Sequence, residues 1–155
     1  ADLAVIATRE ASHTMLEFMP LRDEELMLAL PASHPAVSSF EKHGVDLSLL
    51  RDEPFILNQQ NSYFRSLERE ILSHCSFTPD VLCEIRDLNA SSNMVANGKG
   101  IAFLPRSVYD HAEGCHLFSL PEPMIFHVVI AYSKGIILTG PIRDLIMLLL
   151  KNAPQ

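Results

Sequence analysis

The sequence predicts an α/β protein of two lobes, and three observations predict it. Residues 81–105, VLCEIRDLNASSNMVANGKGIAFLP, read as an apolar run, a helical repeat and a second apolar run. Two proline-bearing linkers, at 31–35 and 121–123, bracket a middle block that reads β-α-β-α-β-α. Strand-like runs flank that block on both sides, so the flanks must build one lobe together. The expected division is 1–33 with 119–155 for lobe I and 34–118 for lobe II. Two crossings between lobes make a hinge with a cleft.

In order along the chain, residues 2–7 (DLAVIA) are an apolar run expected as a buried strand. Residues 13–20 and 24–30 are expected as two more strands. In the second, Glu25, Met27 and Ala29 alternate with Leu26, Leu28 and Leu30, a period of two. The linker PASHP at 31–35 joins two prolines with small residues. Asp46 is placed to N-cap a short helix at 46–51. Phe55, Ile56 and Leu57 make a buried strand, and a polar loop, NQQNS, follows at 58–62. Phe64, Leu67, Ile71 and Cys75 recur at helical spacing and give a helix over 62–75.

The stretch 81–105 is a βαβ unit with parallel strands and a right-handed crossover. Asp87 N-caps its helix, because a carboxylate accepts from the open N–H groups of the first turn. Gly98 ends the helix in the left-handed conformation, Gly100 admits a tight turn, and Pro105 stops the second strand. A short helix at 106–111 and an edge-like strand at 116–120 come next. Residues 125–132 are a strong strand, and Thr139 caps a last helix with Pro141 in its first turn, running to Lys151.

Composition bounds the function. Of 155 residues, 48% are hydrophobic and 20% charged, a globular balance. The net charge of -7 argues against the chain itself gripping nucleic acid, where phosphate neutralisation needs clustered Lys and Arg. No apolar run approaches the about 20 residues needed to cross a bilayer as a helix. The opening Ala-Asp-Leu-Ala lacks the basic region of a signal peptide and begins a strand at once, which predicts an upstream part. Cys75, Cys83 and Cys115 are odd in number and widely spaced, as free thiols in a reducing cytoplasm would be.

Two helix starts in the middle block are candidate sites: Ser62, Tyr63 and Phe64 at one, Asn89 and Ala90 at the other. Each lies at the C-terminal end of a strand, where open α/β sheets hold ligands. Their N–H donors and positive dipole end suit a carboxylate or phosphate. Thr8 and Arg9 follow the first strand, and a guanidinium there can hold an anion bidentately. Capping serine and aspartate and a solvated arginine are the bland readings of the same residues. His74-Cys75 and His111-x-x-x-Cys115-His116 carry metal-ligand types without a paired frame, so no metal and no cofactor are expected. No P-loop and no nucleophile elbow mark a catalyst.

Read together, the ordered pieces resemble the effector-binding domain of LysR-type transcriptional regulators. They are Asp2-Leu3-Ala4-Val5-Ile6, then Leu26-x-Leu28-x-Leu30-Pro31-x-x-His34-Pro35, then Leu47-x-x-Leu50-x-Asp52-Glu53-Pro54-Phe55-Ile56. Phe64-Arg65, Glu84 and Met94-Val95-Ala96-x-Gly98-x-Gly100-Ile101-x-x-Leu104-Pro105 complete the set. The resemblance covers essentially the whole chain. It implies a periplasmic-binding-protein type II-like fold with an incomplete first lobe, in a bacterial, cytoplasmic protein. It implies binding of a small effector, here a carboxylate by the chemistry of the helix starts, and no enzymatic activity. DNA contact would come through a helix-turn-helix domain outside these residues, with a homodimer or homotetramer as the full-length assembly. A transporter's solute-binding protein shares the fold, and an enzyme on the same two lobes would need an acid–base or cysteine set that the sequence does not present.

Overall fold

The computed structural model describes residues 3–111 and 113–153. In chain order its elements are β1 (Ala4–Thr8), β2 (Leu16–Pro31), α1 (Val37–His43), a 3-10 turn (Leu47–Leu50), β3 (Pro54–Asn58) and α2 (Tyr63–Ser73). Then come β4 (Asp80–Ile85), α3 (Leu88–Ala96), β5 (Ile101–Pro105), a second 3-10 turn (Arg106–His111), β6 (Cys115–Phe118), β7 (Met124–Ser133) and α4 (Gly140–Lys151). The chain groups into two compact units, Ala1–Glu24 with Ile125–Gln155, and Glu25–Met124. Asp2, expected in the first strand, lies outside the described residues.

In the unit Glu25–Met124, β3 is paired in parallel with β4 on one edge and with β5 on the other. The second half of β2 runs antiparallel to β5, with Leu26 opposite Pro105 and Ala29 opposite Ala102. The expected βαβ unit is present, but its two strands flank β3 rather than touch. Both faces of β3 are covered. Phe55 stacks near Phe77 and Phe103 on the α2 side, where Leu67 and Ile71 are buried. Ile56, Ala102 and Leu104 pack with Val95 of α3 on the other. Burial on both faces is why these strands read as unbroken apolar runs rather than alternating ones. Each of the larger side chains here contributes about 1.5–3 kcal/mol, and the methyl of Ala102 less. Gly100 is fixed by close approach: a Cβ there would stand 2.6 Å from the carbonyl oxygen of Pro54.

In the other unit, β1 runs antiparallel to β7, Ala4 opposite Ala131 and Thr8 opposite His127. Phe126, Val128, Val129 and Ile130 of β7 are buried, as is Ile146 of α4.

Several expectations are corrected. Residues 13–30 do not form two strands; β2 runs through 16 residues without a break. The polar stretch Leu21-Arg22-Asp23 holds no glycine to turn on, and Arg22 Nε reaches Glu24 Oε1 at 3.0 Å as same-face neighbours of an extended strand do. The run at 2–7 is expected buried, yet Val5 is 49% exposed, and in the apolar run at 81–85 Leu82 is 50% exposed. Each run sits in a strand bonded to one described neighbour, β1 to β7 and β4 to β3. The helix α1 was not foreseen, and the helices at 46–51 and 106–111 are 3-10 turns. Thr139 holds the N-cap position of α4 without a side-chain cap bond.

Candidate functional site

The strand order β4-β3-β5 reverses direction at β3: the chain leaves β3 toward β4, then crosses to its far side for β5. Such a switch point opens a crevice at the strands' C-terminal ends. An open depression of about 740 Å³ lies there, lined by Gln59, Gln60, Asn61, Ser62, Glu84 and Arg86.

Its lining is built by bonds within the loop 59–62 and between that loop and the end of β4. Gln59 N donates to the carbonyl of Ile85 at 3.2 Å, carrying the parallel pairing one step past β3. Ser62 N donates to the carbonyl of Gln59 at 2.9 Å and closes the turn. Ser62 then enters α2 as its N-cap, extended at φ -85 and ψ 153, its hydroxyl accepting from Arg65 N at 3.1 Å. Tyr63 and Phe64 are the first two helical residues, whose N–H groups point out of the helix start. Gln60 Nε2 donates to Glu84 Oε1 at 3.2 Å, and Arg86 Nε donates to Gln59 Oε1 at 3.1 Å.

Behind the loop sits Glu68, fully buried on α2. Its carboxylate accepts from Asn58 three times: from Nδ2 at 2.7 Å and from the backbone N–H at 3.0 and 3.2 Å. Arg65 Nη1 donates to the Asn58 carbonyl at 2.9 Å, and Arg65 Nη2 lies 3.3 Å from Glu84 Oε1. Burial pushes the Glu68 carboxyl up to about 7, against the opposing pull of the Asn58 bonds and the Arg65 charge.

The residues singled out from the sequence fall in three places. Ser62 lines the depression, and Tyr63 and Phe64, which do not, follow it as the first residues of α2. Asn89 and Ala90 open α3, and their N–H groups are already bonded to the Asp87 carboxylate, at 2.8 and 3.4 Å. Thr8 and Arg9 belong to the other compact unit, where the buried Thr8 hydroxyl accepts from Glu10 N at 3.0 Å and Arg9 is exposed. Sequence reasoning missed Gln59, Gln60, Glu84 and Arg86 as lining residues. The available signal was Glu84 and Arg86, two apart at the end of an apolar strand. It also missed Glu68, a carboxylate beside the apolar positions Leu67 and Ile71.

A family model described as the LysR substrate binding domain matches residues 1–154. The Bacillus subtilis transcriptional dual regulator GltC is 26% identical over 125 residues, 81% of this chain and 40% of its own length. This chain thus spans well under half of that relative. The regulatory domain of Synechocystis PCC6803 CcmR, solved in complex with 2-PG, superposes with a TM-score of 0.81 at 20% identity, covering 99% of this chain and 74% of the other. The effector binding domain of QuiR in complex with shikimate gives 0.75 at 21% identity, covering 98% and 71%. At such identities the two structures speak for the fold.

Proposed function

The chain belongs to the LysR substrate-binding domain family, a family of transcriptional regulators rather than enzymes, and we propose that it senses a small anionic metabolite at the start of α2. Its fold is that of LysR-type effector-binding domains, the periplasmic-binding-protein type II-like fold. The observation that carries the reading is the depression at the switch point, where a helix start capped by a neutral hydroxyl meets Arg86. Outward N–H groups and the dipole supply positive potential without a buried counter-charge, which suits a carboxylate or phosphate. That QuiR was solved with shikimate and CcmR with 2-PG supports a ligand of metabolite size.

In this reading Ser62, Tyr63 and Phe64 offer the primary contacts, Asn89 and Ala90 are secondary in the same unit, and Thr8 and Arg9 are the candidates that the other unit carries by itself. The lobes of this reading divide at 33/34 and 118/119, inside the compact unit Glu25–Met124. The domain is a sensor and not a catalyst; it works in the cytoplasm within a homodimer or homotetramer that meets DNA through a helix-turn-helix domain outside these residues. No helix among the described residues is long and apolar enough to cross a membrane.

The test is calorimetry with a panel of small carboxylates and phosphate esters on the wild type and on Ser62→Asp. At least one anion is expected to bind the wild type, and about tenfold more weakly to the variant, whose carboxylate takes the helix start. A panel that never binds, or one that binds both proteins alike, defeats the reading.

A further inference from the structure

We propose that Glu68 is the positioning residue of this site, a proton-operated anchor that holds Asn58 and through it the loop 59–62. The side chain has no exposed surface. Both of its oxygens face donors: Oε1 meets Asn58 Nδ2 at 2.7 Å and Asn58 N at 3.2 Å, and Oε2 meets Asn58 N at 3.0 Å. Every one of these contacts needs Glu68 as acceptor. A proton weakens the oxygen that carries it as an acceptor and adds an O–H that needs an acceptor of its own, which a turned Asn58 amide supplies through Oδ1, so the neutral acid holds Asn58 differently from the carboxylate.

The Asn58 backbone is held as well as its side chain, because its N–H donates to both Glu68 oxygens. Its carbonyl accepts from Arg65 Nη1 at 2.9 Å, and the same guanidinium reaches Glu84 Oε1 at 3.3 Å. Glu84 Oε1 in turn accepts from Gln60 Nε2 at 3.2 Å. Glu84 and Gln60 line the depression, so an unbroken run of contacts joins the buried carboxyl to the surface. The charged groups that act on Glu68 are Arg65 from its own helix and Glu84 from β4, while β3 brings only the neutral Asn58. Arg65 favours the carboxylate and Glu84 the acid; burial outweighs both and places the midpoint near neutrality. The loop is pinned on the alkaline side and relaxed on the acid side.

The consequence for effector affinity rests on the function proposed above, but the link between carboxyl and loop does not. An effector-free experiment therefore separates the two. In an NMR titration of the protein from about pH 5 to about pH 9, the Glu68 carboxyl carbon and the amides of Asn58, Gln60, Asn61 and Ser62 are expected to share one midpoint, about 7. In Glu68→Gln, which fixes the neutral form, the amides lose that titration and rest near their wild-type acid-side positions. Loop amides that stay flat while the carboxyl titrates overturn the proposal, as does an unchanged titration in Glu68→Gln. Should that variant not fold, agreement or disagreement of the two wild-type midpoints decides.

Discussion

The starts of α2 and α3 are near-twins with opposite chemistry. Each follows a parallel strand, and each is entered through an extended N-cap residue. At α2 the cap is the neutral hydroxyl of Ser62, which takes the N–H of Arg65. At α3 it is the carboxylate of Asp87, which takes the N–H groups of Asn89 and Ala90. Both caps satisfy donors that the helix itself leaves over. Only the second also spends the dipole, because its own charge already occupies the positive end. A helix start thus becomes a candidate anion site through what its cap leaves open, not through its position alone.

The largest way to break the comparison lies in the bodies of the helices. Between Leu88 and Ala96 α3 carries no ionisable side chain, whereas α2 buries Glu68. A carboxyl raised from 4.5 to about 7 binds its proton more tightly in the folded protein than in the unfolded chain. Its contribution is therefore fully favourable below about pH 4.5 and is lost as pH rises through about 7, with no further change above. The loss is on the order of 3 kcal/mol. Urea unfolding of the wild type and Glu68→Gln across this window isolates it: the difference between the two should move by that amount. A pH-independent difference would leave α2 no more sensitive than α3.

Next in size is the exchange of caps. If the charge of the cap decides where an anion binds, Ser62→Asp loses about 1.4 kcal/mol of anion affinity. Asp87→Ser, by contrast, leaves binding at the α2 start unchanged. Calorimetry on the pair reads this directly, and equal losses in both variants would mean that the cap charge is irrelevant. A smaller effect concerns stability alone. Asp87→Ala removes the acceptor from two N–H groups and should cost about 1 kcal/mol, seen as a lowered midpoint in thermal unfolding.

How far this was legible in the sequence differs between the two helices. Both caps were readable, because Ser62 and Asp87 precede helical repeats and cap by local bonds that need no tertiary partner. The parallel strands were readable too, from apolar runs, which two-sided burial explains for β3 and β5 but not for β4, whose Val81 and Leu82 are exposed. What escaped was set by partners distant in sequence. Glu68 looks like one more surface acid until β3 delivers Asn58 against it, and Arg86 becomes a lining residue only because β4 ends beside Gln59. The break expected near residues 21–23 failed for a related reason. Two strands, 13–20 and 24–30, were expected, but an extended backbone accommodates Arg22 and Glu24 as a pair on one face.

The smallest effect tests the rim of the depression. Glu84 stands there as a partly exposed negative charge, paired with Arg65 and bonded by Gln60. The pair is half-buried, with side chains 11% and 33% exposed, so water screens the attraction only in part; the accepting oxygen, which carries the hydrogen bonds, is what matters most for stability. Glu84→Gln keeps an oxygen to accept from Arg65 and Gln60 and removes only the charge. Stability should then change by no more than about 0.5 kcal/mol in urea unfolding. Anion affinity should rise about twofold to threefold, since a like charge at the rim is gone and Arg86 remains. Because the Asp87 cap bonds are local to residues 87–90 and do not involve Glu84, the same substitution should leave them, and the NMR shifts of Asn89 and Ala90 that report them, where they were. A shift at both helix starts would mean that they respond as one surface, and the contrast between their caps would no longer explain which of them takes the ligand.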